Sequence, residues 1–224
     1  MDGSKSDGQP PFVVVEGLDG SGTTTQAELL VERLDREGRA ALLTREPSDG
    51  PVGALIRQML SMRVVAPANQ EGEFTAVSRD VLALLFAADR LDHIDSEIEP
   101  ALQSGRIAVS DRYYHSSFAY QGDDGDDGQV DTDWVRTLNE RAKMPDLTVY
   151  LDASPETCLD RMRNRGIRDI YETREELESL ARRYDDVIDE LAQEGQRIVR
   201  IDAERSREAV HEAIYSAVGD LLGN

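Results

Sequence analysis

The feature that most constrains the fold is a glycine-rich turn between an apolar run and an amphipathic segment. The run Phe12–Glu16 has the length and β-branched content of a buried strand, and the turn begins directly after it, at Gly17. From Thr24 to Glu37 apolar residues recur at helical spacing, and Gly38 ends the segment. A strand, a glycine turn and a helix in this order predict the first unit of a parallel α/β sheet.

The rest of the chain repeats this alternation. Four further strands are predicted, at Ala40–Thr44, Ile107–Ser110, Thr148–Leu151 and Arg197–Ile201. Helices are predicted from Val52 to about Ser61, from about Phe74 to Leu102, and after the N-cap and proline pair Ser154-Pro155. We therefore expect a single α/β domain over residues 11–224, with a five-stranded parallel sheet and helices on both faces. Residues 1–10 are small and polar and are expected to form a flexible tail.

The charge balance narrows the function classes. The chain has 25 basic and 45 acidic residues, a formal charge of −20, and only two lysines, Lys5 and Lys143. An acidic, lysine-poor surface keeps a protein soluble where salt screens charge, which predicts a salt-rich cytoplasm. The same acidity counts against nucleic-acid binding, which requires clustered cations. No apolar stretch approaches the roughly 20 residues that span a bilayer, so no membrane association is expected.

Neither cysteine nor histidine suggests a metal centre. Cys158 is the single cysteine and is expected to be a small core residue, and the three histidines show no metal-ligand spacing. The acidic segment 122–133 resembles a calcium loop at first sight. Counted from Asp123, however, its third position is Gly125 and its twelfth is Trp134, where a calcium loop needs a glutamate. We expect a solvated acidic loop there.

The glycine-rich turn has the context of a phosphate-binding loop. Backbone N–H groups and the helix dipole at such a turn attract phosphate oxygens. The P-loop pattern continues after its last glycine, Gly22, with a lysine and then a serine or threonine that binds Mg²⁺. Here Thr23 replaces the lysine, and Thr24 keeps the hydroxyl. A tight turn without a ligand is the alternative; as a phosphate loop it would bind ATP through Gly17, Leu18, Asp19, Gly20, Ser21, Gly22, Thr23, Thr24 and Thr25.

Three further motifs accompany this loop. They are Thr44-Arg-Glu-Pro47, Leu85-Phe-Ala-Ala-Asp-Arg90 and Asp111-Arg-Tyr-Tyr-His-Ser-Ser-Phe-Ala-Tyr-Gln121. Together with the loop they resemble the thymidylate kinase family, in the family's order and spacing, over residues 12–203. Two positions depart from the family pattern: Thr23 stands for the loop lysine and Ser48 for a glycine.

The resemblance implies a three-layer P-loop NTPase fold with a helical lid. It also implies a cytoplasmic enzyme that transfers a phosphoryl group from ATP to dTMP with Mg²⁺, commonly as a homodimer paired through helices beside the sheet. Two rivals stay open. One is a kinase of the same fold with another nucleotide or deoxynucleoside acceptor. The other is a nucleotide-binding module that lost turnover together with its lysine.

The resemblance also assigns roles to individual residues. Asp19 corresponds to the carboxylate that accepts a hydrogen bond from the sugar 3′-hydroxyl, and Arg45 and Arg112 to the arginines that hold the monophosphate. Phe86 corresponds to the ring that stacks on thymine, and Arg90 to the donor to a base carbonyl. Asp111, with Thr24, corresponds to the magnesium site. The remaining acceptor-site candidates are Ser116, Tyr120 and Gln121.

An arginine-rich segment runs against the acidity of the chain. Four arginines lie within residues 161–168, with no acid among them. The resemblance places the lid here, at about 161–173, with Gly166 as a possible hinge. We expect Arg161 and Arg165, with Arg112, to supply the positive charge that the absent lysine would bring to the moving phosphoryl group. The alternative is that these arginines pair with neighbouring acids on a solvated face.

Overall fold

The fold is a parallel sheet between two layers of helices, seen in a computed structural model that describes residues 9–67, 74–122, 132–164 and 174–223. The strands are β1 (Phe12–Gly17), β2 (Ala41–Arg45), β3 (Ala66–Pro67), β4 (Phe74–Thr75), β5 (Ile107–Asp111), β6 (Leu147–Asp152) and β7 (Ile198–Asp202). The helices are α1 (Thr23–Arg36), α2 (Pro51–Leu60), α3 (Arg79–His93), α4 (Glu99–Gln103), α5 (Tyr114–Gln121), α6 (Thr132–Asn139), α7 (Pro155–Asn164), α8 (Arg174–Gln193) and α9 (Arg207–Leu222).

Five strands form the main sheet, in the order β2-β5-β1-β6-β7, and every neighbouring pair is parallel. The five-stranded parallel sheet predicted from the sequence is confirmed. β1 occupies the centre, where Phe12 pairs in register with Ala108 of β5 and Val13 with Leu147 of β6. Parallel strands present their carboxyl ends at one edge, so the loops after β1, β2 and β5 meet there.

One helical prediction is wrong in detail. The tract from about Phe74 to Leu102 is not a single helix, because Phe74–Thr75 pairs antiparallel with Ala66–Pro67. α3 begins only at Arg79, where the Ser78 hydroxyl caps the helix by accepting from the Val81 N–H. A π-helical turn, Ile94–Ile98, then separates α3 from α4. The N-cap predicted at Ser154 is confirmed, because its hydroxyl accepts from the Thr157 N–H at 3.2 Å.

Apolar side chains fill both faces of the sheet. Val13 and Val15 belong to a core cluster with side chains of α1, α7, α8 and α9, whereas Phe12 and Val14 belong to a second cluster with α3, α5 and α6. Cys158 is fully buried in the first cluster, as predicted, and burial raises the pKa of its thiol to about 12. Within the described part of the chain, no helix has the length and apolar character needed to cross a membrane.

Candidate active site

The glycine-rich turn is a loop held closely against its neighbours on one side. Gly17, Gly20 and Gly22 all have positive φ angles, of 154°, 90° and 109°. A Cβ on Gly20 would stand 2.5 Å from the backbone oxygen of Cys158, at the start of α7. At Gly22, by contrast, no described atom outside the local chain lies within 4 Å of that position. The loop therefore packs on α7 at Gly20 and is open at Gly22, where α1 begins.

Thr24 and Asp111 lie together beside this opening. The Thr24 hydroxyl donates to Asp111 Oδ2 at 2.5 Å, whereas Asp111 Oδ1 is buried and has no hydrogen-bond partner among the described residues. A hydroxyl and a carboxylate with a free lone pair are the hard oxygen ligands that Mg²⁺ prefers. No group of three or more His, Cys, Asp or Glu side chains in the described ranges could hold a metal by itself. The pair therefore fits Mg²⁺ that takes its other ligands from bound phosphates and water.

Thr23, which occupies the lysine position, does not project from the loop. Only 6% of the surface of Thr23 is exposed to solvent. A P-loop lysine has to reach the outer phosphates. The substitution therefore leaves the site without a cation at this position.

Arg112 joins the phosphate loop to the acceptor motif. Its guanidinium forms an ion pair with Asp19 and donates to Ser116 Oγ at 3.2 Å and to the Tyr184 hydroxyl at 3.1 Å. Burial alone would lower the pKa of Arg112, but Asp19 and the neighbouring tyrosines and Glu16 together outweigh it, and the pKa is raised well above its ordinary value. The backbone of Arg112 has a φ of 73°, which is unusual for a residue with a side chain. The structure thus brings Asp19, Arg112 and Ser116 together.

Glu16 and Tyr184 complete this cluster, and the sequence analysis missed both. The fully buried carboxylate of Glu16 accepts from the Tyr113 N–H at 2.8 Å, the Ser116 hydroxyl at 2.8 Å and the Tyr184 hydroxyl at 3.1 Å. Burial raises the pKa of Glu16, but neighbouring His115 and the hydrogen bond from Ser116 lower it more, so the net shift is downward. A permanent negative charge therefore lies beneath the acceptor motif.

Arg45 lies at the same edge of the sheet. It ends β2 and is the register partner of Asp111 on β5. Its guanidinium is 58% exposed and forms an ion pair of 2.9 Å with Asp49, whose hydrogen bond raises the pKa of Arg45. An exposed guanidinium beside the metal-site carboxylate is placed to meet a phosphate.

The two base-recognition candidates lie on α3, one turn apart. Phe86 is half-buried, so it is not a plain core residue. Arg90 is 1% exposed and donates four hydrogen bonds. Its acceptors are Glu46 Oε2 (twice, at 2.9 and 2.5 Å), Ser117 Oγ at 3.0 Å and Asn139 Oδ1. A guanidinium has five N–H donors, so one remains for a further acceptor.

Tyr120 and Gln121, at the end of α5, are less directly placed. The ring of Tyr120 packs edge-on against the ring of Tyr184, with centroids 6.0 Å apart, and lies 5.8 Å from the Arg112 guanidinium carbon. Gln121 is buried, and its Oε1 has no hydrogen-bond partner among the described residues. Tyr120 therefore borders the Arg112 cluster, whereas no described contact joins Gln121 to it.

Arg161 lies beside the phosphate loop and contacts backbone carbonyls. Its guanidinium donates to the Ser21 carbonyl at 3.1 Å and to the Ala203 carbonyl at 2.7 Å, so it ties the phosphate loop to the segment after β7. Arg163, two residues on, has an exposed ion pair with Asp160. Arg165 and residues 165–173 of the predicted lid lie outside the described residues, as do residues 123–131 of the acidic loop.

Ser48, the second departure from the family pattern, has a specific partner. Its N–H donates to Asp89 Oδ2 at 2.7 Å and its hydroxyl donates to Asp89 Oδ1 at 2.6 Å. Both residues are 1% exposed. The serine hydroxyl thus adds a second hydrogen bond between the loop after β2 and α3.

The sequence of the chain is similar to those of known proteins. The family model described as "Thymidylate kinase" matches residues 15–214. The chain is 37% identical over 214 residues to "Probable thymidylate kinase" of Thermococcus kodakarensis, covering 95% of this chain and 98% of that protein. It is 38% identical over 219 residues to "Thymidylate kinase" of Halothermothrix orenii, with 94% and 97% covered. The match extends over nearly the whole chain, and the site motifs lie within it, so this protein belongs to the thymidylate kinase family.

Proposed function

We propose that the protein phosphorylates dTMP to dTDP with ATP as the phosphoryl donor. The observation that carries the proposal is the Asp19–Arg112 ion pair, which joins the acceptor motif to the phosphate loop. Family membership and the names of the relatives support the same reaction. A donor phosphate on the loop and an acceptor phosphate at Arg112 would lie side by side, which is what phosphoryl transfer needs.

The residues divide into a donor half and an acceptor half. In the donor half the backbone N–H groups of residues 17–25 bind the phosphates of ATP. Thr24 and Asp111 would hold Mg²⁺, which neutralises phosphate charge when bound. In the acceptor half Arg45 and Arg112 hold the monophosphate, Phe86 and Arg90 hold the base, and Asp19 accepts from the sugar hydroxyl. Ser116, Tyr120 and Gln121 border this half.

The missing lysine requires another source of positive charge at the transferred group. Arg112 supplies one, because its guanidinium is positively charged and is fixed by three partners. We assign the remaining positive charge to Arg161 and Arg165.

If Arg161→Ala and Arg165→Ala both leave kcat unchanged, this assignment is wrong. Thr23→Lys is the complementary variant: a large gain in kcat would mean that the native site is impaired rather than compensated.

A homodimer is part of the proposal. α2 and α3 pack together and expose Leu55, Val81 and Leu84, at 37%, 42% and 48%. Exposed leucines and valine on adjoining helices are typical of a subunit interface.

Leu84→Glu should convert a dimer into a monomer in sedimentation analysis. Leu60→Glu, an equally exposed leucine at the end of α2, is the control; an unchanged dimer in Leu84→Glu would contradict the assignment.

The acidic composition supports a salt-rich cytoplasm as the working environment. The decisive assay is therefore run in molar KCl, with ATP, Mg²⁺ and a panel of nucleoside monophosphates and deoxynucleosides, following diphosphate formation. Preferred conversion of dTMP to dTDP is expected. Preference for another acceptor would favour the related-kinase alternative. ATP binding to folded protein without turnover of any acceptor would favour the binding module.

A further inference from the structure

A chain of polar side chains, buried except for its partly exposed end at Glu97, lies behind the acceptor half, and only its last member, Arg90, has a role in the reaction described above. It runs from Glu97 on the π-helical turn through Thr44 and His93 to Glu46, and ends at Arg90. His93 is 0% exposed and the Glu46 side chain is 2% exposed, so water does not satisfy either group. A buried polar chain of this kind has to be matched donor to acceptor.

His93 is the central link. Its Nδ1 lies 3.3 Å from Glu46 Oε1, and its Nε2 lies 2.6 Å from Thr44 Oγ1, whose hydroxyl is also 3.0 Å from Glu97 Oε2. A carboxylate only accepts hydrogen bonds, so the contact with Glu46 requires a proton on Nδ1. The Thr44 hydroxyl meets the opposite nitrogen and fixes the plane of the ring.

Glu46 uses its two oxygens for two different partners. Oε1 faces His93, whereas Oε2 accepts both the Nε–H and an Nη2–H of Arg90. The carboxylate of Glu46, together with Ser117 and Asn139, therefore sets the orientation of the guanidinium. Because Arg90 has one donor left for a ligand, a rotation of the carboxylate would redirect that donor.

We propose that His93 is a positioning residue for acceptor recognition: it holds Glu46 so that the Arg90 guanidinium faces the base. This proposal rests on the proposed function, since it assumes a base at Arg90. His93 does not contact the reacting phosphates. Its loss should weaken binding of the acceptor and leave binding of ATP intact.

Two conservative variants separate this role from simple packing. In His93→Asn the side-chain amide nitrogen falls near the position of Nδ1 and keeps the donor to Glu46. In His93→Gln the amide nitrogen falls near the position of Nε2 and keeps only the contact with Thr44. In His93→Asn, KM for dTMP should stay within about twofold of the wild-type value. In His93→Gln, KM for dTMP should rise about tenfold, because one buried hydrogen bond is lost. KM for ATP should not change in either variant. Ile94→Ala, which removes buried apolar volume from the next residue, is the packing control.

Two measurements need neither dTMP nor turnover. In ¹H–¹⁵N spectra of the wild-type protein, His93 should carry a proton on Nδ1; a proton on Nε2 alone overturns the proposal. Hydrogen exchange at the Arg90 Nε–H should be slow in the wild type and His93→Asn and faster in His93→Gln. Equal effects of His93→Asn, His93→Gln and Ile94→Ala on exchange or on KM also overturn it. If the wild type does not phosphorylate dTMP, the proposed function fails, while the tautomer and exchange results still decide the role of His93.

Discussion

At the scale of single residues, Arg112 has the most demanding position in the molecule. Its guanidinium meets Asp19, Ser116 and Tyr184, from three different elements, while its backbone takes a left-handed φ of 73°. Strained backbone of this kind is characteristic of functional sites, because surrounding contacts have to hold it. The three side-chain contacts depend on the forked shape of the guanidinium.

We therefore expect Arg112→Lys to lower kcat/KM for dTMP at least about tenfold, because a lysine has one nitrogen and cannot reach three partners at once. Steady-state kinetics with varied dTMP measures the loss. Arg33→Lys is the control, since Arg33 also pairs with two carboxylates, Glu37 and Glu212, on the outer surface of α1 and α9. Equal kinetics for both variants would contradict the role assigned to Arg112.

Glu16 offers a test of stability. Glu16→Gln replaces an accepting oxygen with a donor facing the donors of Ser116 and Tyr184, and should lower the free energy of unfolding by about 2 kcal/mol at pH 7. The folded-state pKa of Glu16 lies below its ordinary value of 4.5. Its stabilising contribution is thus full above pH 4.5 and is lost as the pH falls through the lowered pKa.

Denaturant unfolding at a series of pH values measures this contribution. The difference in unfolding free energy between wild type and Glu16→Gln should stay constant above pH 4.5 and shrink below it. The exposed pair Glu32–Arg36 supplies the control, because Glu32→Gln should have little effect at any pH. A difference that grows on acidification would contradict the expected sign.

Glu16 and Tyr184 mark the limit of sequence-based prediction at this scale. Asp19, Thr24, Asp111 and Arg112 were found because each stands at a fixed place in a short motif. Tyr184 comes from the middle of α8, where its spacing is that of any core residue, so no local pattern distinguishes it. Glu16 had a visible signal, a carboxylate inside an otherwise apolar strand, but its partners arrive from the segment after β5 and from α8 only in the folded chain.

At the scale of elements, the phosphate loop depends on its contact with α7. Gly20→Ala would place a methyl group 2.5 Å from the Cys158 backbone oxygen, and backbone cannot move aside as a side chain can. Gly38 has a similar φ, 78° against 90°, with no described atom near its Cβ position, so Gly38→Ala isolates the backbone strain alone.

We expect Gly20→Ala to lower the free energy of unfolding by about 1–3 kcal/mol more than Gly38→Ala, the usual range for overpacking. It should also raise KM for ATP, whereas Gly38→Ala should not. Thermal or denaturant unfolding and ATP kinetics on the two variants test this. Equal losses in both would mean that the contact with α7 is not tight.

The sequence predicts the strands of the main sheet more accurately than the tract 74–102, for a physical reason. The central strands β1, β5 and β6 are buried and mostly apolar, and the edge strands β2 and β7 still contain short apolar runs, so all five could be located within a residue or two. The tract 74–102 was misjudged because β3 and β4 have two residues each and take their stability from pairing with each other. The π-helical turn at Ile94–Ile98 keeps helical composition, so periodicity does not reveal it.

At the scale of the whole molecule, the charge of −20 should make stability depend on salt. Repulsion among exposed carboxylates is screened as ionic strength rises, so the unfolding temperature should increase with KCl. For a chain of this size each kcal/mol of relieved repulsion corresponds to about 2–4 °C. Calorimetry over a KCl series from dilute to molar concentration, with a sucrose series as control for general osmolyte effects, measures it; a flat or falling profile would contradict the salt-rich environment.

The central position of β1 has a consequence for synthesis. β1 leaves the ribosome before the other strands of the sheet, and its partners in register begin at Ala108 and Leu147. At typical elongation rates the second partner follows on the order of ten seconds later. During that interval β1 lacks at least one of its two neighbouring strands. The phosphate loop also lacks α7, against which Gly20 packs. Nucleotide can therefore stabilise the chain only after β6 has been made, and we expect shorter nascent chains to bind chaperones rather than ATP.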